Sequence, residues 1–368
     1  MLNLIAPLLL VSALGTRFPG RSWERATPES QGMSSERLDN AFDYAFPRFS
    51  LTTRCVSVFR NGYLVGDRYN IGVNPTDASI SWSVSKAVFS TLIGIAEKAG
   101  LLHTTDLASK YIEEWRGVPG ASDITIDHLL RHDSGRYYDP VTDFVLPQSS
   151  RNQTLFALDL RMQTRPGTDD QYNQMAFQTM ERIWRVATGG TVAQQWRELL
   201  PNKIGFEAAS FWQEISFLND VPNGDGGLVY GGLHISCHDL GRFGHLWLNQ
   251  GVWNGEELVT REFWAQSLRR ALPPRVGRGY QWGGGPNHRA TGAGDQFVSF
   301  NLDNGVVISR LGDLAGLDFS ARELVNRVLA AVMDQPAASN QTKEEWENDE
   351  DERVFRDQLL ALAKAKAE

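Results

Sequence analysis

The sequence predicts an α+β fold: one antiparallel sheet, built from both termini and flanked by helices, with an inserted helical subdomain. Hairpin signals near both ends predict the sheet, at Asn61-Gly62 and again at Asp303-Asn304-Gly305. Between them, helical pieces are joined by loops rich in Pro, Gly and Asp. With 42% hydrophobic residues among 368, the chain can bury a large core.

The first elements are a helix and a hairpin. Apolar residues at helical spacing behind two serines predict a helix over 34–46. Val56 and Val58 then alternate with polar residues, and the first turn signal leads into a return strand over 63–69. These elements predict a helix that packs against a hairpin.

The later elements complete the pattern. A second helix begins near Ser83 and ends at Gly100, and its apolar stripe indicates a central position. Residues 101–234 form the helical part. The C-terminal hairpin covers 297–309, and a last helix with an apolar stripe follows over 320–333.

The predicted domain organisation has three parts. An apolar stretch of about 11 residues near the start is too short to span a bilayer, and it is either a secretory leader or an arm packed on the body. The localisation therefore stays open between secreted or periplasmic, with a leader, and cytoplasmic, without one. The parts are 1–18 (leader or arm), 19–335 (sheet part 19–100 and 235–335, helical part 101–234) and 336–368 (acidic tail, disordered or partly helical).

Charge and cysteine content exclude several classes of function. The 36 basic and 44 acidic residues give a net charge of −8, which disfavours nucleic acid and anionic membranes as partners. Cys55 and Cys237 are too few for a disulfide framework, and the chain has no CxxC pair for zinc. A small molecule is the expected partner, and the oligomeric state is not predicted.

Ser83-Val84-Ser85-Lys86 is the candidate chemical motif. Three residues along a helix make almost one turn, so the Lys86 amine can reach the Ser83 hydroxyl. A serine hydroxyl needs an adjacent base to become a nucleophile, and a lysine can serve once it has shed its own proton. Burial against an apolar flank lowers the pKa of a lysine and so favours that state. The helix N-terminus adds a positive dipole end beside the developing charge. Without further support, a capping serine beside an exposed lysine would be the favoured interpretation of the motif.

This motif resembles the nucleophile motif of the serine β-lactamase and penicillin-binding-protein superfamily. The chain is particularly similar to the class C β-lactamase-related hydrolases, which include family VIII carboxylesterases and 6-aminohexanoate-dimer hydrolase. The likeness extends over about 23–333, and the segments 124–135 and 231–244 resemble parts of the same proteins. The resemblance implies a β-lactamase/transpeptidase-like fold.

The resemblance also implies a second motif, Tyr-x-Asn, at Tyr172-Asn173-Gln174. Tyr172 matches the family tyrosine, and Gln174 stands where the family has asparagine. Tyr172 is expected to share proton transfer with Lys86, because a nearby cation stabilises a phenolate. Asn173 and Gln174 are expected to bind substrate.

The third family motif, Lys-Thr-Gly, corresponds to Ala290-Thr291-Gly292, followed by Ala293. The backbone amides of Ser83 and Ala293 are expected to form an oxyanion hole, worth about 3 kcal/mol per donor, with Thr291 and Gly292 binding substrate. The family lysine helps to hold a substrate carboxylate, so its replacement by Ala290 argues against β-lactam substrates. His288 or Arg289 is an alternative replacement for that lysine, but adjacent strand residues point to opposite faces, and the favoured expectation is that both face solvent.

No metal or organic cofactor is predicted. His128 and His132 are four residues apart, as in a zinc-binding HExxH helix, but Leu129 stands in the position of the glutamate and a structural or capping role is favoured. The prediction is a serine hydrolase that cleaves small ester or amide bonds through an acyl-enzyme on Ser83. The alternatives are a β-lactamase or DD-peptidase-like enzyme, and an inactive binding module of the same fold.

Overall fold

The computed structural model covers most of the predicted catalytic body. The described residues are 17–47, 52–217, 223–224, 226–269, 279–283, 287–313 and 319–334. Apart from Arg17 and Phe18, the predicted leader or arm lies outside the described residues, as does the acidic tail. No helix within these ranges is both long and apolar enough to cross a membrane.

The described strands form three antiparallel sheets. Their bounds are β1 (Thr53–Arg60), β2 (Tyr63–Tyr69), β3 (Ser79–Ile80), β4 (Phe211–Trp212), β5 (Leu233–Ile235), β6 (Val252–Trp253), β7 (Glu256–Glu257), β8 (Asn287–Gly292), β9 (Gln296–Asn301) and β10 (Val306–Gly312). The main sheet has the order β2-β1-β10-β9-β8, so strands from the two ends of the chain meet where β1 pairs with β10. This confirms the predicted α+β fold with a sheet assembled from both termini.

The helices agree with the predicted pattern outside the helical part. Their bounds are α1 (Ser35–Ala45), α2 (Val84–Lys98), α3 (Ile126–Leu130), α4 (Gln153–Asp159), α5 (Gln174–Gln178), α6 (Met180–Thr188), α7 (Val192–Leu199), α8 (Pro201–Ile204), α9 (Cys237–Leu248), α10 (Arg261–Ser267) and α11 (Ala321–Leu329). Ser34 caps α1 by accepting a hydrogen bond from the N–H of Arg37. The predicted last helix ends earlier than expected, at Leu329.

Helices cover both faces of the main sheet. On one face, α1 and α11 pack over Val58 and Ile308, which lie opposite each other in β1 and β10. On the other face, α9 packs over Phe59 and Val307, the next pair along the same strands, and α2 packs against β8 and β9. Successive strand residues point to opposite faces, so burial of both faces explains why neighbouring residues such as Val58 and Phe59 are both apolar and buried. This arrangement fixes α2 against the sheet.

A small sheet in the order β3-β5-β4 is the main addition to the prediction. These strands have two or three residues each, too few to show an alternating pattern. Their pairing holds the start of α2, because the N–H and Oγ of Ser81 both donate to the carbonyl of Leu233, at 2.8 and 2.9 Å. The helical region is inserted between α2 and α9, as predicted.

A disulfide joins Cys55 of β1 to Cys237, the first residue of α9. Both cysteines are buried. No local pattern predicts this bond, because the two residues are 182 positions apart in the sequence. The bond ties the centre of the main sheet to one of its covering helices.

Candidate active site

The candidate nucleophile lies at the N-terminus of α2. Ser83 is the N-cap residue, and its side chain makes no capping hydrogen bond, so its hydroxyl is available for other contacts. Trp82, directly before it, has a φ of 48°, a left-handed conformation that costs free energy for a bulky residue. The chain thus turns sharply just before Ser83, which presents the side chain at the helix end.

Lys86 lies one turn further along α2 and is completely buried. Its Nζ donates to Ser83 Oγ at 2.9 Å and to the carbonyl oxygen of Tyr230 at 2.6 Å. The ammonium also stands 4.7 Å from the centre of the Tyr172 ring. The Tyr230 carbonyl was not anticipated from the sequence, because a backbone contact over such a separation leaves no sequence signal.

Tyr172 contacts the same oxygen atom of Ser83. Its hydroxyl donates to Ser83 Oγ at 2.7 Å. The ring packs on His132 with 4.5 Å between centroids, and His132 Nδ1 accepts the N–H of Asn173 at 3.2 Å. Within the described part of the chain, an alcohol, an amine and a phenol therefore meet at one oxygen atom.

Asn173 and Gln174 are placed differently from the prediction. Asn173 caps α5, with Oδ1 accepting from the N–H of Ala176 at 2.7 Å and Nδ2 donating to two backbone carbonyls. Gln174 is buried, and its Nε2 lies 3.4 Å from Asp143 Oδ2. Both amides are therefore used to hold the fold behind Tyr172. This geometry does not support the substrate-binding role predicted for them.

The end of β8 lies against the start of α2. A Cβ atom on Gly292 would stand 2.5 Å from the carbonyl oxygen of Ser81 and 3.0 Å from the Ser83 nitrogen, closer than real side chains approach. Only glycine fits this contact. It brings the strand that continues into Ala293 next to the Ser83 amide, as an oxyanion hole formed by those two amides would require. Thr291 precedes the contact and is half-exposed.

Arg289 is buried and His288 is half-buried, so the expectation that they face solvent was wrong for Arg289. The Arg289 side chain packs against Gly283, and only 2% of the residue is exposed. The His288 ring lies 5.1 Å from the ring of Phe300, and burial lowers its pKa. β8 pairs with β9 on one side and with Gly283 on the other through the bridge at Arg289, so Arg289 lies in the interior of the sheet.

A buried carboxyl group near Lys86 was also missed. Asp143 belongs to a π-helical turn, Val141–Val145. Burial raises its pKa to about 6, while a hydrogen bond from the Met175 N–H and attraction to Lys86 oppose the shift. The local sequence does not predict that Asp143, Met175 and Lys86 lie close together, because they come from separate segments of the chain.

Of the two histidines His128 and His132, the first has a structural role. His128 Nδ1 accepts the N–H of Thr125 at 3.1 Å and completes a capping box at the start of α3. Among the described residues, no group of three or more His, Cys, Asp or Glu side chains is arranged to hold a metal ion.

Comparisons with known proteins agree with this architecture. The sequence model of the family described as Beta-lactamase matches residues 51–332. Among curated proteins, none matches the sequence significantly.

Several solved structures share the fold. A protein of Bacillus anthracis provisionally named 6-aminohexanoate-dimer hydrolase is 19% identical, with 85% of this chain and 86% of that chain covered and a TM-score of 0.67. A provisionally named beta-lactamase from Bacteroides dorei is 17% identical, with coverage of 82% and 99% and a TM-score of 0.68. A D-stereospecific amidohydrolase from Streptomyces is 15% identical, with coverage of 80% and 98% and a TM-score of 0.60. At these identities the likeness extends to the fold alone.

Proposed function

The chain belongs to the beta-lactamase family, and on that premise we propose that it is a serine hydrolase that cleaves small ester or amide bonds through an acyl-enzyme on Ser83. One observation carries the proposal. Ser83 Oγ accepts hydrogen bonds from both Lys86 Nζ and Tyr172 OH, at 2.9 and 2.7 Å. A hydroxyl with two proton-exchanging partners at this distance is set up for activation.

In the proposed reaction, Ser83 Oγ attacks the carbonyl carbon while its proton passes to the Lys86–Tyr172 pair. The carbonyl electron pair moves to the oxygen, where the amides of Ser83 and Ala293 stabilise the negative charge. When the tetrahedral intermediate collapses, the leaving alcohol or amine takes the proton from the pair. Water then attacks the acyl carbon and gives one proton to the pair, and the second tetrahedral intermediate breaks its bond to Ser83 Oγ, which takes that proton back as the acid is released.

The preference for esters or amides over β-lactams rests on the end of β8. The superfamily lysine that helps to hold a substrate carboxylate is replaced by Ala290, which is buried. Arg289, the nearest cation in the sequence, packs against Gly283. A small neutral substrate fits this site better than an anionic one. The amidohydrolase among the structural neighbours supports the same class of bond.

Fluorophosphonate labelling followed by intact-mass measurement tests the nucleophile. We expect the wild-type chain to gain the mass of one phosphonyl group and Ser83→Ala to gain none. An unlabelled wild type, or labelling that survives in Ser83→Ala, would indicate a binding module of the same fold. Ser90→Ala is a matched control, because Ser90 is a buried serine of the same helix and should leave labelling unchanged.

Hydrolysis of a nitrophenyl ester and of a chromogenic cephalosporin, compared on one preparation, tests the substrate class. We expect a higher kcat/KM for the ester. Faster hydrolysis of the cephalosporin would replace this proposal with a β-lactamase or peptidase-like activity.

A further inference from the structure

One buried carboxyl group contacts the segment that follows Tyr172 and has no part in the proposed proton transfers. Asp143 is only 2% exposed. Its Oδ1 accepts the N–H of Met175 at 2.9 Å, and its Oδ2 lies 3.4 Å from Gln174 Nε2. Both partners belong to the first turn of α5, directly after Tyr172. Asp143 therefore anchors the segment that carries the phenol.

The carboxyl group also acts on the surroundings of Lys86. Attraction between Asp143 and Lys86 opposes the effect of burial on the carboxyl pKa. Burial raises the pKa of the Tyr230 phenol, and the Asp143 charge raises it further. Tyr230 is the residue whose carbonyl accepts from Lys86 at 2.6 Å. Asp143 is thus electrostatically coupled to the Lys86 end of the site.

We propose that Asp143 is a positioning residue: it holds the segment that carries Tyr172, and its negative charge retains the proton that Lys86 and Tyr172 share. The inference rests on the proposed function and deepens it. Asp143 acts through the pair and needs no contact with substrate.

The sign of the effect follows from elementary electrostatics. The pair must lose one proton to accept the proton of Ser83, whichever member carries the loss. A nearby negative charge makes that loss harder, because it stabilises the more positive state. Removing the charge of Asp143 should therefore let the pair lose its proton at lower pH.

Other titratable groups border the pair. Tyr230 lies on the loop before β5, and His132 packs on the Tyr172 ring from the segment after α3. Asp143 adds a carboxylate to these groups. With a pKa of about 6 it is mostly ionised at neutral pH, so its influence is present where the enzyme is assayed and fades in acid.

The test compares wild type with Asp143→Asn by measuring the rate of fluorophosphonate labelling from pH 5 to 10. Asparagine keeps an oxygen for the Met175 N–H and removes the charge. We expect the acid limb of the pH profile to move down by about one pH unit. The two curves should converge below a pH of about 6, where Asp143 of the wild type is itself neutral.

Two further variants separate charge from structure. Asp143→Ala loses both the charge and the anchor, so we expect the shifted limb together with a lower rate at every pH. Asp239→Asn neutralises another buried aspartate that accepts backbone N–H groups, from Glu207 and Ala208. It should leave the limb where it is in the wild type.

A folded Asp143→Asn variant with an unshifted limb would overturn the inference, even if its rate fell at all pH values, because a purely structural role lowers the rate without moving the limb. Thermal unfolding of each variant establishes that it is folded. If the wild type itself remains unlabelled, the proposed function fails, and the inference fails with it. Labelled wild type with superimposable curves overturns the inference alone.

Discussion

Tyr172 differs from phenylalanine by one oxygen atom, and that atom donates a 2.7 Å hydrogen bond to Ser83 Oγ. In Tyr172→Phe the ring keeps its packing on His132 and its position beside Lys86, so the fold should be retained. Because the proton path through the phenol is lost, we expect kcat for a nitrophenyl ester to fall about 10²–10⁴-fold. Steady-state kinetics measures the loss.

Tyr44→Phe provides the matched control. The Tyr44 hydroxyl accepts a 2.9 Å hydrogen bond from the N–H of Ser320, where α1 meets the start of α11. Its removal should lower stability by about 1 kcal/mol and leave kcat unchanged. Wild-type kcat in Tyr172→Phe would exclude the phenol from proton transfer.

At the scale of single residues, the groups that meet at Ser83 Oγ could be predicted from the sequence, but the contacts of the residues around them could not. Ser83 and Lys86 share one helical turn, so local geometry predicts their contact. Tyr172 was found only through the family motif. Asn173 caps α5, and the sequence does not show this because an amide beside a catalytic candidate and an amide that caps a helix look alike; its substrate-binding role stays a prediction. Asp143 gave no signal, since burial of a charge is decided by packing.

The contact between two elements, the end of β8 and the start of α2, depends on Gly292. In Gly292→Ala the new methyl would stand 2.5 Å from the Ser81 carbonyl oxygen, so the strand must move away from the helix. This displaces the Ala293 amide from the expected oxyanion position. We expect kcat to fall about 10²–10³-fold and the free energy of unfolding to fall by about 1–3 kcal/mol.

Gly66→Ala separates the steric cost from the catalytic one. Its methyl would meet the Phe42 ring at 2.9 Å, in β2 at the opposite edge of the main sheet. We expect comparable destabilisation in denaturant titration, with kcat close to wild type. Equal losses of kcat in both variants would show that Gly292 has no special role in the site.

Long elements with a clear periodicity were predictable, and very short ones were not. The apolar stripe of α2 and the turn between β9 and β10 are strong local signals. The strands β3, β4 and β5 carry two or three residues each, so no period can be read from them. They form because the larger fold brings the segment before the helical part next to segments near the end of that part, and this contact holds Ser81 beside Leu233.

At the scale of the whole molecule, the hairpins at both ends of the chain predicted one sheet built from both termini, while the order of its strands was not predicted. The burial of that sheet on both faces was not predicted, and it explains why Arg289 is buried. Long-range pairing depends on many weak contacts that no single segment encodes. The bond between Cys55 and Cys237 belongs to this class, since nothing local relates the two positions.

That disulfide closes a loop of 182 residues, so it restricts the unfolded chain strongly. In the chain-entropy description, a bond of this kind contributes about 2–5 kcal/mol. We expect Cys55→Ala/Cys237→Ala to lose stability in this range in guanidinium titration, with no change in ester kcat at 25 °C, because neither cysteine touches the groups at Ser83. Wild type treated with a reductant should match the double variant. Unfolded, unreduced wild type should show no reactive thiol. An unchanged midpoint after reduction, or two free thiols before it, would contradict the pairing of β1 with α9 through this bond.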